Sequence, residues 1–96
     1  MENFTYLTIF KANRERLAAR YGEAIFLFQF SDLYMAVGDD AIECNRVLGT
    51  SMSIHSQTHI HSSAFPSTML DTALPKLVRA GYRICIVDKP LELSLF

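Results

Sequence analysis

Apolar residues recur at helical spacing through the first part of the chain. Tyr6, Phe10 and Leu17 mark this stripe and predict an α-helix over residues 3–21. Gly22 follows the stripe, at a position where glycine commonly ends a helix. The first element is therefore predicted to be an amphipathic helix whose outward face carries basic side chains.

A nearly continuous apolar run, AIFLFQF, follows at residues 24–30. Apolar side chains in both directions are typical of a central strand covered on both faces of its sheet. A second helix is predicted over residues 39–48, and Gly49 ends it. Asp40 and Glu43 have the spacing of a capping box, in which the aspartate caps the helix and the glutamate reaches back.

The segment at residues 50–64, TSMSIHSQTHIHSSA, is rich in serine, threonine and histidine. Apolar and polar residues alternate in its first half, and His59 and His61 continue the alternation in its second half. This pattern predicts two short strands joined by a polar turn near residues 56–57.

A third helix is predicted over residues 68–80, where leucines recur at helical spacing. Thr68 and Asp71 have the spacing of its capping box. Pro75 lies inside this range and lacks the backbone N–H of a helical residue, so the helix either starts later, near Asp71, or bends. The apolar stretch within residues 82–88 predicts a last strand.

The predicted order of elements, α-β-α-β-β-α-β, indicates an α/β fold. We expect a mixed β-sheet of about four to six strands with about three packed helices. The chain has 96 residues, so a single domain over residues 1–96 is expected. Nine basic and ten acidic side chains give a formal net charge of −1. This balance provides no overall attraction to nucleic acid or to membranes, although it is compatible with a local basic patch.

Several features favour a cytoplasmic protein. The first residues lack a basic stretch followed by an apolar one, so no signal peptide is predicted. The apolar run at residues 24–30 is far shorter than the roughly 20 residues of a membrane helix. Cys44 and Cys85 lie in apolar patterns without metal-ligand spacing, which is typical of buried free thiols in a reducing compartment.

Three histidines, His55, His59 and His61, are the candidate metal ligands. The last two would share one face of a strand, and His55 could approach them across a hairpin. No cysteine or carboxylate nearby in the sequence completes a zinc site, so exposed hairpin histidines are the commoner interpretation. No serine lies in a nucleophile elbow and no glycine-rich phosphate loop occurs. Neither an enzyme nor a cofactor is expected.

Seven short motifs occur in order between Tyr21 and Lys89. They are SDLY at 31–34, GDDA at 38–41, LG at 48–49, LDT at 70–72, LPKLV at 74–78, AGY at 80–82 and ICI at 84–86. Together they resemble the N-terminal mismatch-recognition domain of the MutS DNA mismatch repair proteins. The resemblance implies the fold of that domain, DNA as a partner, and tolerance of Pro75 in its helix.

Two departures from this family fall at the positions that read DNA. In the family a phenylalanine wedges against the mismatched base, and a glutamate two residues later hydrogen-bonds to it. Those positions are Leu33 and Met35 here. Leucine can still part base steps, but it lacks aromatic stacking worth about 1–3 kcal/mol per base. Methionine is at best a weak acceptor, so the resemblance implies a scaffold without its mismatch-reading pair.

Other parts of the family pattern are also missing. A Tyr-His pair of the family corresponds to Ser67-Thr68 in this chain. The sequence contains no Walker motif and none of the later domains of MutS, so we expect a free-standing relative that does not bind ATP.

Two hypotheses about function follow. The first is a DNA-binding module without mismatch discrimination, and its proposed contacts are Arg14, Arg16, Arg20, Leu33 and Met35. The second is a protein-interaction module in which an exposed tip at residues 33–35 meets a protein partner or a second copy of the chain. The charge balance favours the second hypothesis, and the family resemblance favours the first.

Overall fold

The computed structural model describes residues 2–88 of the chain. Its regular elements are α1 (Glu2–Tyr21), β1 (Ile25–Phe30), β2 (Leu33–Val37), α2 (Asp39–Leu48), β3 (Met52–Ile54), β4 (His61–Pro66), α3 (Leu70–Arg79) and β5 (Ile84–Val87). A short 3-10 helix at Ser67–Met69 precedes α3. The predicted α/β class is confirmed, with three α-helices around one mixed sheet.

The sheet has five strands in the order β3-β4-β2-β1-β5. The pairs β1–β2, β2–β4 and β3–β4 are antiparallel, whereas β5 is parallel to β1. Phe28 lies opposite Met35 between β1 and β2, and Met35 lies opposite Ala64 between β2 and β4. β2 is therefore the central strand, with two strands on either side.

The apolar run in the sequence is a hairpin of two strands, where the sequence pattern predicted one strand before α2. Ser31 and Asp32 form the turn between β1 and β2, and Ser31 has a positive φ of 58°. This turn was missed because Ser-Asp lacks the glycine that usually marks a two-residue hairpin loop. The hairpin brings residues 33–37 back along β1 into the middle of the sheet.

Helices cover both faces of the sheet, which explains why β1 is apolar at nearly every position. Phe26 and Phe28 point to the face covered by α1, where they pack with Leu7, Phe10 and Val37. We call this side the α1 face. On the opposite side α2 and α3 cover a second group of buried residues, which is Ile25, Leu27, Tyr34, Ala36, Ala41, Cys44, Phe65, Ala73 and Leu77.

The predicted capping box of α2 is wrong, although both predicted ends of the helix are close. Gly38 occupies the N-cap position, and no side chain caps the helix. Asp40 is instead buried, because its carboxylate turns inward to bind partners on α1 and β1. Gly49 ends the helix in the left-handed conformation, with φ 73°, as the sequence predicted.

The start of α3 also differs from the predicted capping box. Met69 precedes the helix, and neither Thr68 nor Asp71 provides a side-chain cap. The helix begins at Leu70, close to the later start that Pro75 indicated, because the preceding residues adopt the tighter 3-10 helix. Pro75 lies in the second turn, inside the helix.

Candidate nucleic-acid interface

The hairpin determines where Leu33 and Met35 lie. Alternation along β2 turns Tyr34 and Ala36 toward α2 and α3, and therefore turns Leu33 and Met35 toward the α1 face. Both side chains are half-buried. The expectation of an exposed tip is thus corrected. The two residues lie on the central strand, and solvent reaches them through one face of the sheet.

An open groove of about 530 Å³ gives access to this pair on the α1 face. Its apolar wall consists of Leu7, Phe30, Leu33, Met35 and Ile54. Three serines and one histidine, which are Ser53, His55, Ser56 and Ser62, complete the lining. Among the described residues that line the groove, none is Asp, Glu, Lys or Arg. The groove therefore suits an uncharged surface that has apolar and hydrogen-bonding parts.

The groove exists because α1 covers only part of the sheet. Phe10 of α1 packs in parallel on Phe28, with ring centroids 4.9 Å apart, and contacts Phe30 edge-on at 6.0 Å. Farther across the sheet, Ser53 and Ser62 pair between β3 and β4. Their small side chains leave unfilled volume where α1 does not reach.

One rim of the groove is shaped by the loop between β3 and β4. The Nδ1 atom of His55 accepts hydrogen bonds from the backbone N–H groups of Gln57 and Thr58, at 3.2 and 3.3 Å. The His55 carbonyl accepts the N–H of His59, whose φ of 59° places it in the turn. His55 is therefore a turn residue in this structure.

The candidate metal site is not supported. His59 lies in the turn before β4, whereas His61 is the first residue of that strand, so the two do not share a strand face. Within residues 2–88, no three histidine, cysteine, aspartate or glutamate side chains are close enough together to hold a metal ion.

Arg14 does not lie on the outward face of α1, contrary to the sequence prediction. Its Nε and Nη2 atoms donate to the Asp40 carboxylate at 3.0 and 3.1 Å, and Nη2 also donates to Glu23 at 2.8 Å. The guanidinium lies 5.4 Å from the centre of the Phe26 ring. The hydrogen bonds that Arg14 donates to Asp40 raise the pKa of Arg14 above its usual value, against an opposing effect of burial. These contacts give Arg14 a structural role, because its guanidinium is bound by residues of the protein itself.

The other two basic candidates remain on the surface of α1. Arg16 and Arg20 are both exposed, one helical turn apart. The Arg20 guanidinium lies over the ring of Tyr21, at 5.3 Å from its centroid. Lys11, on the same helix, is instead paired with Glu15 at 2.9 Å.

Sequence reasoning missed most of the residues that form the groove. Leu7 and Phe30 read as ordinary core positions, and Ser62 reads as a polar strand residue. Nothing in their spacing indicates that they line one groove, because Leu7, Phe30 and Ser62 come near one another only when α1 packs on the sheet. The sequence pattern that did indicate a residue of this groove was the family motif around Leu33.

The chain was also compared with known proteins. Residues 12–93 match the family described as MutS domain I. The DNA mismatch repair protein MutS of Phocaeicola vulgatus is 37% identical over 92 residues, which is 93% of this chain and 11% of the relative. MutS of Flavobacterium psychrophilum is 38% identical over 73 residues, 73% of this chain and 8% of the relative. MutS of Porphyromonas gingivalis is 35% identical over 77 residues, 77% of this chain and 9% of the relative.

The matched part of these relatives is small. The chain spans about a tenth of the length of the curated relatives it matches. In the part of the chain that the structure describes, no helix has the length and apolar character required to cross a membrane. The family match over residues 12–93 and the identity to MutS proteins point to the same family, and the mixed α/β sheet is consistent with it. The chain belongs to the MutS domain I family.

Proposed function

We propose that residues 1–96 form a single, non-catalytic DNA-binding module that docks on DNA in the cytoplasm without selecting mismatches. Membership of the MutS domain I family supports DNA as the partner, since the relatives are DNA mismatch repair proteins. The absence of a nucleophile elbow and of a Walker motif in the sequence supports a role without catalysis or ATP.

One observation carries this proposal. Leu33 and Met35 lie side by side on the α1 face of β2, and both line the open groove. At these positions the family resemblance implies a phenylalanine and a glutamate. Leu33 is an apolar wedge of the kind that parts base steps in the minor groove. Met35 has no strong acceptor with which to select a base.

The expected consequence is DNA binding with little preference among base pairs. Without a ring at position 33, stacking worth about 1–3 kcal/mol per base is lost. Without a strong acceptor at position 35, the hydrogen bond to an unpaired base is lost as well. The affinities for matched and mismatched duplexes should therefore agree within a few-fold.

Fluorescence anisotropy with labelled duplexes tests the proposal. Wild-type protein should bind a matched duplex and a duplex with one mismatch equally, and the affinity should decrease with salt concentration. The double substitution Leu33→Phe with Met35→Glu should create a preference for the mismatch of about tenfold, which lies within the stacking energy of about 1–3 kcal/mol per base. Absence of binding to any DNA at about 50 mM salt, where phosphate contacts are strong, would refute the proposal.

A matched control uses an exposed apolar residue on another surface. Val78 is 60% exposed on α3. The variant Leu33→Asp should lose DNA binding, whereas Val78→Asp, with the same added charge, should retain it. Equal losses of DNA affinity in the two variants would indicate an effect of net charge and would count against the groove as the DNA-binding site.

A second candidate function is supported by the chemistry of the groove. Its described lining contains no Lys or Arg, although phosphate contacts dominate affinity for nucleic acids. An apolar groove of this kind also fits a protein partner or a second copy of the chain. Sedimentation velocity tests self-association. A concentration-dependent dimer that Leu33→Asp abolishes would support this function, and a monomer at all concentrations would exclude self-association.

A further inference from the structure

An exposed patch at the C-terminal end of α1 consists of Arg20, Tyr21 and Arg83. Tyr21 is 55% exposed, although it is a large aromatic residue. The guanidinium of Arg20 lies 5.3 Å from the centre of its ring, and Nη2 of Arg83 donates to its backbone carbonyl at 3.4 Å. Two arginines that are far apart in the sequence therefore contact Tyr21, Arg20 at its ring and Arg83 at its backbone carbonyl. We call this set the Tyr21 patch.

The two guanidinium groups of the patch are not neutralised by the described part of the chain. Neither Arg20 nor Arg83 forms an ion pair with a described residue, whereas Lys11, Arg14 and Arg46 each do. The nearest acidic residue along the chain, Glu23, is paired with Arg14. Arg83 also lines a cleft that contains Glu23, Asp39, Asp40 and Glu43. Three of these carboxylates are paired with Arg14 or Arg46, so the unpaired positive charge of the patch is that of its own two guanidinium groups.

Gly22 allows this arrangement. Its φ of 93° is a backbone conformation that side chains rarely permit, and it ends α1 immediately after Tyr21. A Cβ atom at this position would lie 3.1 Å from Nη1 of Arg83. The missing side chain lets the Arg83 guanidinium lie against the end of the helix, next to the Tyr21 carbonyl.

We propose that the Tyr21 patch is a contact site for a nucleic-acid strand, in which Arg20 and Arg83 bind phosphates and an unstacked base packs against Tyr21. Guanidinium groups bind phosphate oxygens with strong, charge-assisted hydrogen bonds. An exposed ring beside cationic groups is the combination that binds single strands without sequence preference. The inference rests on the proposed function and supplies the phosphate contacts that the groove lining lacks.

The distance between the two sites is compatible with one bound strand. Tyr21 lies about 21 Å along α1 from Leu7, which lines the groove. At the 3.4 Å per nucleotide of a stacked B-form strand, about six nucleotides cover this distance. An oligonucleotide of this length or longer therefore spans the axial separation of the groove and the patch.

The first test measures the salt dependence of binding to a short single-stranded oligonucleotide. The double substitution Arg20→Gln with Arg83→Gln should reduce the slope of log affinity against log salt by about 1.4, because each lost phosphate contact on a single strand removes about 0.7. The control, Lys76→Gln with Arg79→Gln, removes the same charge from exposed positions on α3 and should leave the slope unchanged. Equal slopes in both variants would overturn the assignment of the patch.

The second test addresses the ring and uses a single-stranded oligonucleotide. Tyr21→Ala should weaken binding about tenfold, whereas Tyr21→Phe, which keeps the ring, should bind as the wild type does. Equal affinities of the alanine and phenylalanine variants would exclude base stacking at this position. Tyr21 is exposed, so both variants are expected to fold, and circular dichroism verifies this.

The results distinguish the patch from DNA binding by the protein as a whole. One result is salt-dependent DNA binding by the wild type that is unchanged in Arg20→Gln with Arg83→Gln and in Tyr21→Ala. This result would refute the patch and leave the proposed function intact. Failure of the wild type to bind duplex or single-stranded DNA would refute both.

Discussion

Arg14 and Asp40 form a two-point ion pair that joins α1 to the start of α2. The Nε–Oδ2 distance is 3.0 Å and the Nη2–Oδ1 distance is 3.1 Å. The same carboxylate accepts the backbone N–H of Phe26 at 3.1 Å. The Arg14 side chain is 13% exposed and the Asp40 side chain 6% exposed. One carboxylate thus connects α1, β1 and α2.

Removing one charge of this pair should strongly destabilise the fold. Asp40→Asn keeps the shape of the side chain but leaves the Arg14 guanidinium largely buried without its main partner. Breaking a buried pair in this way costs about 3–5 kcal/mol. Urea unfolding should show this loss in the free energy of unfolding. Lys11→Gln breaks the exposed pair with Glu15 and should cost less than about 1 kcal/mol. Similar losses in the two variants would contradict the structural role of Asp40.

The stacked pair Phe10–Phe28 should contribute a large part of the packing energy between α1 and the sheet. Phe10 is fully buried, so Phe10→Ala should lower the free energy of unfolding by about 3–5 kcal/mol. Phe10→Leu keeps much of the volume and should cost clearly less. Thermal unfolding of both variants tests this. A small effect of the alanine substitution would mean that α1 is held mainly by other contacts.

The two thiols should differ in reactivity. Burial raises the pKa of the Cys44 thiol to about 12, so very little thiolate forms at neutral pH. Cys85 is half-buried on β5, and burial raises its pKa as well. A thiol reagent at pH 8 should therefore modify Cys85 first and Cys44 only after unfolding. The variant Cys85→Ser provides the control, since its one remaining thiol should react only in denaturant. Rapid labelling of this variant under native conditions would contradict the buried position of Cys44.

Glu43 should contribute to the pH dependence of stability. The hydroxyl of Tyr82, followed by Arg46, hydrogen-bonds its carboxylate and holds its pKa below the ordinary value of 4.5. A depressed pKa in the folded state stabilises the fold above pH 4.5, and this contribution disappears as the pH falls through the lowered value. Tyr82→Phe should shift the Glu43 midpoint upward, as carboxyl NMR titration can measure. An unchanged midpoint would show that the hydroxyl is not a significant donor in solution.

Local sequence patterns predicted most of the elements. The stripe through Phe10 and Leu17 predicted α1, and the glycines at positions 22 and 49 marked the ends of α1 and α2. These features depend on residues within a few positions of each other. Backbone conformation and helical spacing are therefore readable without knowing the rest of the fold.

Two errors, at Asp40 and Arg14, have a different cause. Asp40 has the spacing of a helix cap, but its carboxylate binds Arg14, 26 residues earlier in the chain. A local rule assigned it to the nearest N–H groups, whereas a buried guanidinium is a much stronger partner for a carboxylate. The helical pattern likewise placed Arg14 among the basic side chains on the outward face of α1, because it contains no information about Asp40.

The sequence by itself determined the α/β class, the helix ends marked by glycine, and the presence of aliphatic residues at positions 33 and 35. Only the tertiary structure decided that Leu33 and Leu7 line the same groove, and that Arg83 and Arg20 both contact Tyr21. The reason is physical. Helix and strand formation follow from neighbouring residues, but a binding surface requires side chains from distant segments to meet. That meeting depends on how α1 packs across the sheet, which no local pattern encodes.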